Sequence, residues 1–504
     1  MVNNMELIKE QLAYHRTATD SEIIKTVLRN AKNEPGYIAA LDGVRYYRGE
    51  QDILKKDFRR TVVYEDDSPA GIASGGVAVT NENNSNHHNV HNFHSLMVDQ
   101  KVAYILGKPL SASVEGAEND GTLKAFEDAV TAITSDEQFV DMLPDLATEA
   151  SNCAVGWLHV YYDNDGALRF TVIPSVQCVA CWDMSYQRKL TDFFRHYKVT
   201  IVRNGEEVER ERVEWWTARG VSRYLENDAG EFEKESTEPH WYDEESVDGA
   251  VIKSTPSAWG RIPFIPLFNN SAHQTDLVRY KGLLDAYNLI SSASTNNQID
   301  LVELYWMIQG YGGETAKAIQ QKLQINKAVS ISDPSGKINA EQVTLNVSDR
   351  IAWLDMLRRD IYHIGRGIDL NDEHIGSAPS GVSLKFRYTL LDLKADPMIS
   401  KLKVALKELS WFITQDINLK NGTDYDYTLI KYDVHKSIIV NDTETVDIIQ
   451  KSQGLVPDKM LLAQHPFVDD VAQAYEDLQK QREENAKMFV ADDDDKDDPE
   501  KGDA

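Results

Sequence analysis

Only three of the 504 residues are cysteine: Cys153, Cys178 and Cys181. A disulfide scaffold needs many more, so the chain is expected in a reducing compartment. Long apolar runs are also missing. No stretch approaches the roughly 18 apolar residues of a membrane-spanning helix. The opening residues, MVNNMELIKEQLAYHRTATD, show no apolar core of a secretory leader. The expectation is a soluble protein, free of membrane contact and cytosolic when made. Basic residues are in deficit, with 53 Lys and Arg against 81 Asp and Glu and a net charge of −28. A surface built to grip nucleic acid carries the opposite balance, which argues against tight DNA binding. The terminal stretch Asp492–Ala504 holds −6 of that charge, leaving −22 on the rest.

What is present suffices for cores. Hydrophobic residues make up 42% of a chain far longer than a single domain of about 100–150 residues, so two or more units are expected. Residues 1–60 carry helical spacing, and Glu65–Asn92, rich in Gly, Ser and Asn, reads as a long loop. Asn92–Gly107 returns to helical period, with Leu96, Val98, Val102, Ile105 and Leu106 on one broad face and a stop at Gly107 and Pro109. A further helix is expected over Asp120–Ser151.

The period then switches to two. Turn signals at Asp163–Gly166, Asn204–Gly205 and Asn227–Gly230 separate β-branched and aromatic runs, so Ala154–Lys253 reads as an antiparallel meander. Pro263 and Pro266 make WGRIPFIPLFNN (259–270) an extended strap. A long helix follows over Thr275–Val302, with a stripe of Leu277, Tyr280, Leu284, Tyr287 and Ile290. Its later turns, SSASTNNQ (291–298), suit close packing against copies of itself or a face turned to water.

Tyr305–Val347 reads as a small α/β insert, with strands near 304–309, 327–332 and 341–347 and a helix near 314–323. A second helix spans Ser348–Ile368, with Ser348 as its N-cap. Beyond the loop Asp369–Ser383, a helix over Leu384–Lys420 is interrupted and kinked at Pro397. A strand over Tyr425–Val434 and helical segments over Asp442–Met488 precede an acidic run of the disordered type.

Motifs that suggest chemistry each lack a part. His87, His88, His91 and His94 have spacing that suits zinc on a helix, and a metal-dependent hydrolase built on them is one alternative. No H-E-x-x-H accompanies them, and polarity at a loop or helix start is the better reading. Cys178-Val-Ala-Cys181 lies in a strand region, where positions three apart face opposite sides. Gly376–Ser383 approaches a phosphate loop, but Val382 stands where lysine is required. Arg358, Arg359, Arg366, Lys385, Arg387 and Lys394 flank that loop as a modest basic cluster, a solvated helix face in the plain reading. No catalytic residue, metal site or cofactor is assigned.

Several blocks resemble the portal proteins of long non-contractile-tailed phages of Gram-positive hosts. They are GVRYY (43–47) with Glu50, Asp52 and Ile53; HNFHSLMVDQKVAYILGKP (91–109), the most specific; WGRIPFIPLFNN with the Asp276–Asn288 stretch after it; LLDLKA (390–395); and HPFV (465–468). They occur in the family's order from about residue 40 to 490.

The resemblance implies an α+β, multidomain portal fold in a ring of about twelve copies around a DNA channel. The wing would be residues 1–270 with a strand at 421–440, and the stem helices 271–302 and 348–368. The clip would be 303–347, the tunnel loop 369–383, followed by the kinked helix 384–420, the crown 441–490 and a disordered tail 491–504. Asp369, Asn371, His374, Ser377, Ser380 and Ser383 would face DNA, with Arg366, Lys385 and Arg387 as DNA-proximal cations. Tyr311, Lys317, Lys322 and Lys337 would form the clip's docking surface.

Implied partners are double-stranded DNA held without sequence preference, the terminase large subunit, a head-completion adaptor, and the scaffold and major capsid proteins. The implied place is the portal vertex of the virion, reached from the host cytoplasm during assembly, with a role in nucleating the procapsid. The resemblance implies no enzymatic activity. Another virion structural protein, capsid or scaffold, is the remaining alternative, but a shell protein has no need of two helices bracketing an insert.

Overall fold

The computed structural model describes residues 5–12, 18–59, 61–64, 77–80, 84–185, 189–203, 205–247, 250–300, 305–309, 337–341, 347–369, 381–437, 442–465, 468, 471 and 473–482. The chain is α+β, and it divides into two compact units. One comprises 1–369 with 393–436, the other 370–392 with 437–504.

The first unit opens with α1 (Met5–Leu12), α2 (Asp20–Lys32) and α3 (Pro35–Tyr47). Thr19 starts α2 through a capping box: its hydroxyl accepts from the Glu22 N–H, and the Glu22 carboxylate accepts from the Thr19 N–H. Pro35 occupies the first turn of α3, where its missing N–H costs nothing. β1 (Thr61–Tyr64) pairs antiparallel with β2 (Val77–Thr80). The stretch expected as a loop from Glu65 therefore contains a strand, consistent with the β-branched residues of VAVT.

Next come α4 (Phe93–Leu106), β3 (Ser111–Val114), α5 (Gly121–Thr134) and α6 (Glu137–Cys153). Gly43 on α3 lies so close to α6 that a Cβ there would overlap the Asn152 carbonyl oxygen. That contact accounts for the glycine in the GVRYY block.

The expected hairpins are all present: β4 (Val155–Tyr162) with β5 (Leu168–Ile173), β7 (Leu190–Arg203) with β8 (Glu206–Thr217), and β9 (Gly220–Glu226) with β10 (Phe232–Glu238). They do not form one meander. β6 (Cys178–Trp182) joins β7–β10 in a five-stranded sheet of order β10-β9-β8-β7-β6, and β11 (Trp241–Val247) pairs separately with β12 (Ala250–Ser257). The strap proves to be a strand, β13 (Phe264–Phe268), at the edge of a sheet ordered β13-β4-β5. Pro266, opposite Trp157, is tolerated because an edge strand can leave one donor position empty. Ile23, Ile24, Val27 and Leu28 of α2 pack on Val179, Phe194 and Val213 of the larger sheet.

After a 3-10 turn at Leu277–Arg279 comes α7 (Lys281–Asp300), a shorter helix than expected. β14 (Tyr305–Gln309) pairs antiparallel with β15 (Lys337–Glu341). The last strand of the insert thus lies at 337–341 rather than 341–347, while the expected helix at 314–323 and strand at 327–332 fall outside the described residues. α8 (Val347–Gly365) includes Ser348 in its first turn, so Ser348 is not its cap. The helix stops three residues before Ile368. Arg366 turns to φ +55°, and the Gly367 N–H donates to the Tyr362 carbonyl at 2.9 Å, a left-handed C-terminal cap.

α9 (Gly381–Asn421) takes in Gly381–Ser383, which the sequence placed in the preceding loop, and continues through Pro397 instead of being interrupted there. Ala395 and Met398, on either side of the proline, are buried. Packing of that face compensates for the backbone bond a proline removes. β16 (Ile430–Asp433), shorter than the expected Tyr425–Val434, pairs antiparallel with β3.

The second unit includes the first turns of α9, α10 (Asp442–Ser452), α11 (Asp458–Leu462) and a helical stretch at 473–482. Arg482 pairs with Asp458 between the last two. The acidic tail lies outside the described residues.

Candidate functional site

The two long helices and their supports are the functional candidate. α7 buries Leu284, Asn288, Ser292 and Asn296, spaced four apart along one stripe. An extended segment, residues 84–92, runs antiparallel along that stripe. The Ser85 N–H donates to Asp300 Oδ1 at 2.9 Å, the His87 N–H to Asn296 Oδ1 at 2.7 Å, the Asn89 N–H to Ser292 Oγ at 2.9 Å and the His91 N–H to Asn288 Oδ1 at 3.0 Å. Two residues of extended chain advance about 6.6 Å and four helical residues about 6.0 Å, so the two repeats stay in step. The Asn89 side chain adds bonds to Ser291 and Thr295. The small polar turns of α7 therefore hold a segment of the same chain, a use that the sequence reading did not foresee.

The opposite end of the His group is built differently. His94, on α4, is fully buried. Its Nδ1 lies 2.7 Å from the Tyr280 hydroxyl and its Nε2 3.0 Å from Asn152 Oδ1. The amide oxygen requires Nε2–H as donor, which leaves Nδ1 to accept from the tyrosine. Burial holds the pKa down to about 4, so the ring is neutral. The His88 Nε2 sits 2.6 Å from the Lys56 carbonyl oxygen. His87, His88 and His91 precede the helix, and their geometry is that of an extended segment and not of one helical face. Among the described residues, no group of three His, Cys, Asp or Glu is placed to hold a metal.

Below His94 lies an ion cluster. Lys101 Nζ on α4 donates to Asp276 Oδ2 and Asn269 Oδ1, both at 2.8 Å. Lys394 Nζ on α9 lies 3.2 Å from the same carboxylate, and Asn269 Nδ2 donates to Asp276 Oδ1 at 2.9 Å. Burial alone would raise the Asp276 pKa, but Lys101 and Lys394 hold it well below the usual carboxylate range. Burial outweighs Asp276 at Lys101 and brings that ammonium down to about 8. Lys101 and Asp276 come from the HNFHSLMVDQKVAYILGKP block and the Asp276–Asn288 block, Lys394 from LLDLKA.

A second polar group braces the start of α7. Lys281 pairs with Asp52 at 2.6 Å and Asp285 at 3.1 Å, Arg45 pairs with Asp52 at 2.9 Å, and the Tyr46 hydroxyl donates to Asp285. α8 packs on the first turns of α7 through Ile361 and Leu284, with Phe93 between Tyr287 and Tyr362 at 5.2 and 5.7 Å. Along α8, Ile351, Trp353 and Met356 are exposed, Trp353 by 56%.

Of the residues expected to face DNA, Asn371, His374, Ser377 and Ser380 lie outside the described residues, as do Tyr311, Lys317 and Lys322 of the expected docking surface. Asp369 faces Arg358 at 3.4 Å. Arg366 donates to the Leu393 carbonyl at 2.8 Å. Ser383, Lys385 and Arg387 belong to the first turns of α9, and Lys337 opens β15 opposite Gln309. Cys178 and Cys181 fall on opposite sides of β6, one half-buried and one buried, as their spacing requires.

The family model for phage portal proteins of the SPP1 Gp6-like type matches residues 36–488. The chain belongs to that family. Two portal proteins share its length. That of Clostridium phage phiCD119 is 26% identical over 451 residues, covering 86% of this chain and 90% of that protein. That of Bacillus phage SPP1 is 25% identical over 473 residues, covering 93% and 88%. Phage portal proteins are structural, non-enzymatic components of the capsid. The buried ion cluster and the neutral histidine of this portal protein are accordingly supports of its helices. No helix among its described residues is long and apolar enough to cross a membrane.

Proposed function

We propose that this chain is one subunit of a closed ring of about twelve copies, set at one vertex of the capsid and enclosing a channel through which double-stranded DNA is packaged and ejected. The observation that carries this reading is the pair α7 and α8, bracketing the β14–β15 insert, with Ile351 and Trp353 of α8 left uncovered. Exposed large apolar side chains along a helix mark a surface for another protein, and identical neighbours around a rotation axis cover such a surface repeatedly.

In this reading the wing is 1–270 with the strand segment 421–440, the stem is 271–302 and 348–368, which contain α7 and most of α8, and residues 303–347 form a clip. The clip docks the terminase motor and later a head-completion adaptor, with Tyr311, Lys317, Lys322 and Lys337 on its surface. Asp369, Asn371, His374, Ser377, Ser380 and Ser383 line the channel, with Arg366, Lys385 and Arg387 nearby, and residues 441–490 form the crown, followed by the tail 491–504. Scaffold and major capsid proteins meet the ring as it nucleates the procapsid in the host cytoplasm. The net charge of −28 suits a conduit, because a wall that released many counterions on contact with phosphates would hold the duplex instead of letting it slide.

Electron microscopy of the purified protein tests this. Rings with a central hole wide enough for a duplex are expected. A monomer that persists at high concentration, and in the presence of scaffold protein, would overturn it.

A further inference from the structure

Beside the ion cluster is a small cavity of about 30 Å³, lined by Asn269, Asp276, Arg279, Arg366, Leu393 and Lys394 among others. The charges around it do not cancel. Lys101 and Lys394 both pair with Asp276, so one carboxylate already serves two cations. Among the described residues, Arg366 bonds to the Leu393 carbonyl and pairs with no carboxylate. No carboxylate among the described residues pairs with Arg279, whose charge reaches far enough to push the Lys101 pKa downward together with that of Lys394. Among the described residues, two cations almost wholly withdrawn from water, Lys101 and Lys394, thus share one carboxylate, and two more accessible ones, Arg279 and Arg366, stand beside them. Uncompensated charge in such a place is costly, and a mobile counterion relieves the cost.

The size of the space narrows the choice. A volume of that order holds about two waters, or one halide ion, and is too small for a nucleotide. Asp276 is engaged by Lys101, Lys394 and Asn269, and neither arginine lies within ion-pair distance of it.

We propose that this cavity binds one small inorganic anion of chloride size, held between Arg279, Arg366 and Lys394. The ion bridges three places that meet there: the turn before α7, the C-terminal cap of α8, and α9 at Lys394. Arg366 owes its position to the left-handed cap (φ +55°), which brings its guanidinium to the Leu393 carbonyl inside α9 instead of continuing along α8. Binding involves no covalent step. It adds a bridge between the C-terminal end of α8 and the Leu393–Lys394 turn of α9, beside the Arg366–Leu393 bond.

Two measurements on the full-length chain test the proposal. The first is thermal unfolding in sodium chloride and in sodium gluconate at one ionic strength. Chloride is expected to raise the midpoint saturably, and Arg279→Gln, an exposed residue outside every core, is expected to abolish the increment. Arg29→Gln, an exposed arginine on α2, should keep it. The second is anomalous diffraction from crystals grown in sodium bromide, where a peak is expected between Arg279, Arg366 and Lys394. Equal midpoints in the two salts would overturn the proposal. So would a chloride increment that survives Arg279→Gln, or a cavity holding water only.

Discussion

The backbone N–H of His87 donates to Oδ1 of Asn296 at 2.7 Å, and Nδ2 of Asn296 donates back to the carbonyl of His87 at 2.9 Å. A side-chain amide thus pairs with a main-chain amide as one strand pairs with another. Asn296→Leu has similar volume and neither bond, and it leaves both groups of His87 unsatisfied against an apolar surface. A loss of roughly 2–4 kcal/mol is expected, measured by urea unfolding. Amide exchange at His87 should quicken at the same time. Unchanged exchange would show that the pair does not hold the 84–92 segment.

The two partners of the buried ion cluster are not equivalent. Asp276→Asn leaves Lys101 and Lys394 facing each other without a carboxylate, and an uncompensated buried charge costs roughly 3–5 kcal/mol. Lys101→Met removes one of two cations and leaves Asp276 paired with Lys394, so a distinctly smaller loss is expected. Denaturant midpoints of the two variants decide this. Equal losses would contradict the shared carboxylate.

His94 gives stability a pH dependence on the acid side. Burial dominates its titration; Asp276 and the hydrogen bond to Asn152 favour its charged form, and Lys394 and Lys101 disfavour it. Its folded pKa is about 4, against about 6.5 in an unfolded chain. Between those values the unfolded state binds the extra proton, so stability is full above about pH 6.5 and falls as the pH drops toward 4. The shift corresponds to roughly 3 kcal/mol at most. His94→Gln should flatten that part of the stability curve even if it lowers the whole. A slope that persists would assign the titration to another group.

Trp353→Asp on α8 places a charge on an exposed position, where it should leave the fold intact. Circular dichroism is expected to be unchanged, while light scattering should show loss of the ring in favour of monomers or small oligomers. Normal rings would mean that this face of α8 is not covered by a neighbour.

Much of the local structure is legible from residue order. The hairpins at Asp163–Gly166, Asn204–Gly205 and Asn227–Gly230, the helix α4 with its stop at Gly107, and the opposed faces of Cys178 and Cys181 all follow from spacing within a short window. Errors arise where a distant partner decides. The dipeptide signals of 154–253 do not say which strands share a sheet, and β13 becomes a strand because β4 offers it an edge. Pro397 stays inside α9 because its neighbours are buried. Ser348 has the chemistry of a cap, but α8 begins one residue earlier.

The order of the parts, the acidic and cysteine-poor character, and the blocks that carry the family can all be read along the chain, because composition and periodicity are properties of contiguous residues. What those residues do depends on the partners that folding brings to them. His87, His91 and His94 suggest a metal face until His87 and His91 are seen on the extended segment 84–92 and His94 between Tyr280 and Asn152. The polar turns of α7 suggest water or a copy of the helix until residues 84–92 occupy them. In each case the partner lies far away along the chain, 209 residues for His87 and Asn296. A hydrogen bond or ion pair depends on distance in space, and local spacing cannot encode which distant group arrives to complete it.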